Sequence, residues 1–422
     1  MKVIELGQSA KVISGYAFKS TIFQDDGIPV IKISNIGFGN VRFNSTNTQF
    51  VDKEWQGKLD KKYHVTNGDI LISLTGSHIT QPSSVVGRVA LYKKSFNSLL
   101  NQRAGKVINI DKEVLNPKYL FYLLSSSSVR TNMALMASGA ASQANISPKD
   151  VESLKLPVPS LKNQKKIAAI LSTYDDLIDV NKEHIKLLED TATELYKEWF
   201  VRFRFPNWES TEFEKGIPTD WREVSLGSIC KVVMGQSPKS EYYNENGVGL
   251  PFHQGVGTYG ERFPISRTYC SIAGRTAYEN DILFSVRAPV GRLNIANTKM
   301  IIGRGLSAFS SLEGYSDYLY YLLHYSFERE DIIGNGAIFN SVTKDELLGF
   351  KILYPSESIL KRFNNLAKDF NTMIKALYDK NENLSLQKNS LLPRLMSGRL
   401  SVADLDIHYP PSMQTSEEAE EK

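Results

Sequence analysis

The chain has 422 residues, 41% hydrophobic and 23% charged, which is enough apolar side chain for two or three cores and excludes a disordered polymer. Its 50 Lys and Arg nearly balance 46 Asp and Glu, so the formal charge of +4 identifies no anionic partner by itself. No stretch reaches the ~18 consecutive apolar residues of a membrane span, the first residues lack an apolar leader core, and Cys230 and Cys270 match neither zinc nor disulfide spacing. Buried thiols in a reducing, cytoplasmic setting are expected.

In chain order, residues 1–160 read as short alternating strands punctuated by Gly, Asn and Pro, with a helix near Pro117 and a Pro-bounded strand at 154–159. This segment holds 19 basic against 11 acidic residues, a phosphate-compatible surface. Residues 161–206 then follow a heptad spacing through Leu171, Tyr174, Ile178, Asn181, Ile185, Leu188, Ala192, Leu195 and Trp199. About 40 helical residues at ~1.5 Å each predict a rod of ~60 Å. Residues 207–357 return to the mixed pattern, acidic in total, yet 262–304 collects seven basic residues against Glu279 and Asp281. A second narrow seam runs through 358–400 along Phe363, Leu366, Phe370, Met373, Leu377, Lys380, Leu384, Gln387 and Leu391. The remainder, 401–422, ends in an acidic run and is expected to be disordered.

An internal repeat orders these segments. Ile4-Glu5-Leu6-Gly7 and Lys11-Val12-Ile13-Ser14-Gly15 return as Val224-Ser225-Leu226-Gly227 and Lys231-Val232-Val233-Met234-Gly235, an offset of 220. Asp69-Ile70-Leu71-Ile72-Ser73-Leu74 returns as Asp281-Ile282-Leu283-Phe284-Ser285-Val286, and Tyr119-Leu120-Phe121-Tyr122-Leu123-Leu124 as Tyr318-Leu319-Tyr320-Tyr321-Leu322-Leu323, with the offset falling to 212 and then 199. Unequal loops on a shared scaffold account for that drift. The expected class is α+β: two homologous mixed α/β domains separated by two long helices, which form an antiparallel intramolecular coiled coil with pseudo-two-fold symmetry.

Catalytic motifs are wanting. Gly255-Val256-Gly257-Thr258-Tyr259-Gly260 fits a dinucleotide fingerprint, but Pro264 stops the helix that would have to follow. Asn116-Pro117-Lys118-Tyr119 imitates a methyltransferase loop, yet its repeat partner Tyr315-Ser316-Asp317-Tyr318 shares none of it. The six histidines show no i, i+4 pair and no metal-ligand spacing, and no phosphate-binding loop of the nucleotide-hydrolase type occurs. A single-chain enzyme and a purely structural scaffold are therefore the weaker readings.

The segment Glu194-Leu195-Tyr196-Lys197-Glu198-Trp199-Phe200-Val201-Arg202-Phe203-Arg204-Phe205-Pro206 closely resembles the central region of the specificity subunits of type I restriction–modification systems. Leu156-Pro157-Val158-Pro159 before Gln164, and Leu391-Leu392-Pro393-Arg394-Leu395-Met396-Ser397-Gly398, support that resemblance. It implies target recognition domains at 1–160 and 207–357, helical spacers at 161–206 and 358–400, and a non-catalytic subunit that directs adenine methylation or ATP-dependent cleavage at a bipartite DNA target. It also implies two methyltransferase and two restriction subunits as partners of the chain and its double-stranded DNA. This chain would then bind no cofactor, and S-adenosylmethionine, ATP and Mg2+ would sit on those partners.

By residue chemistry the DNA-contact candidates in the first domain are Lys11, Lys19, Lys32, Thr75, Ser77, His78, Thr80, Gln81, Arg88, Gln102, Arg103, Gln143 and Asn145. In the second they are Lys231, Lys239, His253, Gln254, Arg287, Arg292, Arg304, Asn335 and Asn340. Arg88 with Arg292, and Arg103 with Arg304, align in the repeat and are expected to hold phosphate or fold rather than specify sequence. Trp199, Phe200, Phe203 and Phe205 crowd beyond what a two-helix seam can hold and are expected to dock a partner subunit.

Overall fold

A computed structural model describes residues 1–43, 48–78, 86–140, 143–327 and 341–414. The chain divides into two compact units, residues 1–180 with 380–422, and residues 181–379.

The first unit is built on the antiparallel strands Lys11–Ser14, Ala104–Ile108 and Ile70–Ser73, extended by Val89–Leu91 and Gly39–Asn40. A second sheet pairs Ile28–Ile31 in parallel with Ser98–Leu100. Pro117–Ser125 forms a helix because Pro117 presets the first helical φ and the Asn116 side chain accepts from the Tyr119 N–H at 3.0 Å. All six residues 119–124 are buried, so this helix is core on every side.

The second unit repeats the topology. Cys230–Met234, Leu306–Ser311, Ile282–Ser285 and Leu293–Ile295 form its main sheet, and Leu250–His253 lies parallel to Met300–Ile302. Ser316–Phe327 takes the place of the 117–125 helix. Matching turns follow atom for atom: the Ser73 hydroxyl accepts from the Arg88 N–H at 2.9 Å, and the Ser285 hydroxyl from the Arg292 N–H at 2.9 Å. Each turn needs its glycine, since Gly87 and Gly291 sit at φ +80° and +87°. The loops drift in length, and the clamps stay.

Leu161–Phe200 and Glu357–Met396 are continuous helices. Within the first unit, Lys388 Nζ donates to Asp175 Oδ1 at 2.6 Å while Leu395 packs with Leu171, so the two segments run antiparallel. The second unit shows the same sense, with Trp199 and Phe200 against Phe363 and with Arg262 joining Glu189 to Asn371. Leu171, Asn181 and Ile185 are buried, and Tyr174, Ile178, Leu188 and Leu195 half-buried. In the second helix Phe363 is buried and Phe370, Leu377, Leu384 and Leu391 half-buried. The alternate positions of the expected second seam are corrected, because Leu366, Met373, Lys380 and Gln387 are exposed and Ala367, Ile374 and Asn381 turn inward instead. Side-chain size misled that phase choice at its start, for the small Ala367 fills the seam while the larger Leu366 faces solvent, and further along the polar Asn381 turns inward beside the exposed Lys380.

The expected disorder of 401–422 is likewise corrected for the described part. Val402 is 3% exposed, and Lys166 Nζ donates to the carbonyls of Ala403 and Leu405 at 2.7 and 2.6 Å. A buried ammonium that needs acceptors anchors this segment to the first unit. Residues 415–422 lie outside the described residues.

Candidate nucleic-acid interface

Strand register decides where the candidate side chains gather. In the first unit Gly105 pairs with Ser14 and Ala104 with Ser73, so residues 15–17, 101–103 and 74–75 leave the sheet at one end. Val89 opposite Ile72 brings Arg88 to that end. Strand 28–31 finishes there too, with the Asn101 N–H donating to Ile31 O at 3.0 Å and Lys32 following. Gln143–Asn145 pairs with Thr75–Gly76 and completes the rim. Gln102, Arg103, Gln143 and Asn145 are exposed, and Lys32 and Arg88 half-buried. The carboxylate of Asp69 sits at the far end of its strand, where Lys106 Nζ meets it at 3.3 Å. The strand end that carries Gln102, Arg103, Gln143 and Asn145 is thus opposite the one that carries Asp69.

The second unit assembles the same rim from Gln254, Arg287, Arg292 and Arg304, all exposed. The Gly303 N–H donates to His253 O at 2.8 Å as Asn101 does to Ile31. Asp281, held by the Ser310 hydroxyl at 2.7 Å, again lies at the opposite end of its strand. Lys19 and Lys239 are exposed at equivalent places, each carbonyl accepting at 3.2 Å from the N–H three residues on.

Several expected contacts are corrected by this geometry. Thr75 and Ser77 are 6% and 4% exposed, and Thr75 Oγ1 donates to Asn145 Oδ1 at 2.7 Å, so Thr75 supports Asn145 rather than meeting a base. His253 is fully buried, with Nδ1 2.8 Å from Thr258 Oγ1, and burial lowers its pKa to about 4. His78 is half-buried. Arg88 donates to Ile33 O at 3.0 Å and is lowered in pKa by burial, which makes it a brace of the turn. Lys11 and Lys231 lie at the acidic end, Lys11 bonded to Gly7 O and 3.6 Å from Glu152, away from the rim. Thr80, Gln81, Asn335 and Asn340 fall outside the described residues.

The aromatic cluster is not a docking surface. Trp199, Phe200 and Phe205 are 6%, 9% and 3% exposed, and Phe203 packs half-buried on Trp221 at 5.3 Å between ring centroids. A whole domain core, rather than one facing helix, receives these rings, which the seam-width argument did not allow for. Charged neighbours stay outside, where Arg202 joins Glu194 and Glu198.

Sequence reasoning missed Ser237. Its hydroxyl donates to Gln254 Oε1 at 2.8 Å and accepts from the Arg304 N–H at 3.1 Å, tying two rim residues together. The signal was available in its place two residues after the repeat-matched Gly235. No cluster of metal-ligating side chains occurs among the described residues, and none of their helices is long and apolar enough to cross a membrane.

Residues 1–190 and 218–382 match the family described as the type I restriction modification DNA specificity domain. The chain belongs to that family. A chain of Methanocaldococcus jannaschii, provisionally named the type I restriction enzyme MjaX specificity subunit, is 32% identical over 381 residues, covering 89% of this chain and 88% of its own length. The MjaIX specificity subunit of the same organism is 27% identical, with 78% and 79% covered. A solved S subunit of a type I system from M. genitalium shares the fold at a TM-score of 0.55 and 16% identity, over 93% of this chain and 95% of that one. The specificity subunit is the non-catalytic member of a type I enzyme, and its paired specificity domains serve DNA target recognition.

Proposed function

We propose that this specificity subunit reads a bipartite DNA target, one half-site per domain, with the domains at 1–160 and 207–357 and the helical segments 161–206 and 358–400 setting the spacer between half-sites. One observation carries this reading: in each unit a set of amides and cations, Gln102, Arg103, Gln143 and Asn145 in the first and Gln254, Arg287, Arg292 and Arg304 in the second, is exposed at one strand end, opposite the end that holds Asp69 or Asp281. Arg and Lys suit phosphate and guanine, and Asn and Gln suit adenine. Two methyltransferase subunits bring S-adenosylmethionine and two restriction subunits bring ATP and Mg2+, so the assembly methylates adenine or cleaves unmodified DNA in the cytoplasm while this chain chooses the site.

Salt-dependent duplex binding by the chain with its cognate methyltransferase tests this. The logarithm of affinity should fall linearly with log salt, and Arg103→Gln with Arg292→Gln should flatten the slope by roughly one to two units, about 0.9 per lost phosphate contact. Exchanging residues 1–155 for those of a relative should alter one half-site only. Salt-insensitive binding, or change in both halves, would refute it.

A further inference from the structure

The repeat places two side chains of each unit at identical backbone positions, and their chemistry is exchanged between the units. Leu74 N–H donates to Arg103 O at 3.0 Å, as Val286 N–H does to Gly305 O at 3.0 Å. The register agrees, since Ala104 lies opposite Ser73 and Leu306 opposite Ser285. Arg103 therefore corresponds to Gly305, and Arg304 to Gln102, which corrects the alignment of Arg103 with Arg304 drawn from sequence. By the same frame Ile31 corresponds to His253, so Lys32 matches Gln254.

Resting on the DNA-reading function above, we propose that positions 32 and 102 in the first unit, and 254 and 304 in the second, are the base-reading pair that makes the two half-sites differ. The first unit presents a cation at one position and an amide at the other, Lys32 with Gln102. The second presents them in reverse, Gln254 with Arg304. A cation at a base edge selects guanine and an amide selects adenine, so one scaffold carries two different readings.

The second unit is built to hold its pair. The Ser237 hydroxyl donates to the Gln254 side chain and accepts from the Arg304 main-chain N–H, which fixes the Gln254 amide beside the turn that carries the exposed Arg304. Gly303 and Gly305 flank Arg304, and a Cβ on Gly303 would meet Gln254 Oε1 at 2.6 Å and one on Gly305 the Gln254 carbonyl at 2.5 Å, so the turn packs closely on residue 254. In the first unit the half-buried Lys32 is held by Gln49 and lies 4.2 Å over the Phe23 ring, which fixes the ammonium at the strand end, while Gln102 is exposed on the turn. Ser237 acts through the pair and is a positioning residue.

The test selects from a randomised duplex pool with the full chain co-expressed with its cognate methyltransferase subunit. Arg304→Gln should remove discrimination for one base of one half-site by roughly 5- to 150-fold, the worth of a bidentate contact, and leave the other half-site untouched. Gln102→Arg should change one base of the opposite half-site. Ser237→Ala should blur the Gln254-dependent base, and Ser237→Thr should restore it, which a merely structural hydroxyl would not do at one base alone. An unchanged consensus with weaker retention, and melting temperatures as in the unaltered chain, would make these phosphate contacts and overturn the proposal. Failure of the unaltered complex to select any bipartite sequence would instead overturn the DNA-reading function and the pair with it.

Discussion

Truncating Phe200 separates a core role from a docking role. Its ring meets Tyr196, Trp199, Trp221, Tyr318 and Phe363 at centroid distances of 5.0, 6.3, 5.8, 5.1 and 4.9 Å, and the residue is 9% exposed. Phe200→Ala removes that buried ring and leaves a cavity among rigid aromatics that collapse poorly, so the cost falls at about 4 kcal/mol. The second unit spans residues 181–379, and for a body of that size each kcal/mol lowers melting by ~2–4 °C. A drop of roughly 8–16 °C is expected in the corresponding calorimetric transition of the full chain. Arg204→Ala, which removes only a half-exposed ion pair with Glu198 on the same segment, should move it by at most ~4 °C. An unshifted melting temperature in Phe200→Ala, with assembly onto the methyltransferase lost, would refute the core assignment and restore these aromatics to a partner surface.

Two further perturbations follow from buried polar groups. Arg262, 2% exposed, joins Glu189 at 2.9 Å to Asn371 and stacks 4.5 Å from the Tyr320 ring, so Arg262→Ala should destabilise the second unit by ~3–5 kcal/mol, measured by denaturant unfolding. A loss below about 1 kcal/mol would show that this polar joint is dispensable. His253 has its pKa lowered to about 4 from 6.5 by burial, so between those values the unfolded chain binds the extra proton. Its contribution is complete above pH 6.5 and is lost as pH falls toward 4, about 3 kcal/mol in all at 1.36 per unit. In His253→Gln the pH dependence of unfolding should flatten across that window, and an unchanged profile would place the proton elsewhere.

What the sequence made legible was whatever repeats. Ser73 and Ser285, or Gly87 and Gly291, recur because the same turn imposes the same hydrogen bonds and the same positive φ, and those demands leave residue-level traces. Burial of a polar residue leaves none. His253 and Gln254 are neighbours of like polarity, yet the strand ends at the buried His253 and Gln254 follows it exposed on the rim, and the sequence around them carries no signal that marks that boundary. The second helix failed for a related reason: with Leu366 and Ala367 adjacent, volume favours the leucine, whereas packing against the first helix takes the alanine. Arg103 and Arg304 were paired by identity, and only the register showed them one residue apart.

That one-residue difference bears on how a duplicated reader diverges. The turns before residues 104 and 306 are fixed by main-chain bonds, Ala104 N–H to Asn101 O at 2.9 Å and Leu306 N–H to Gly303 O at 3.0 Å, which are indifferent to the side chains in between. An exposed side chain at the tip contributes little to stability, so exchanging amide for guanidinium there costs the fold within about 0.5 kcal/mol. The same exchange alters base preference by 1–3 kcal/mol. Readout is therefore free to change where folding is insensitive, and the buried frame of Ser73, Ser285 and their glycine turns is where it is not. A chain built this way can acquire a new half-site through one or two exposed substitutions while its two domains keep the same register.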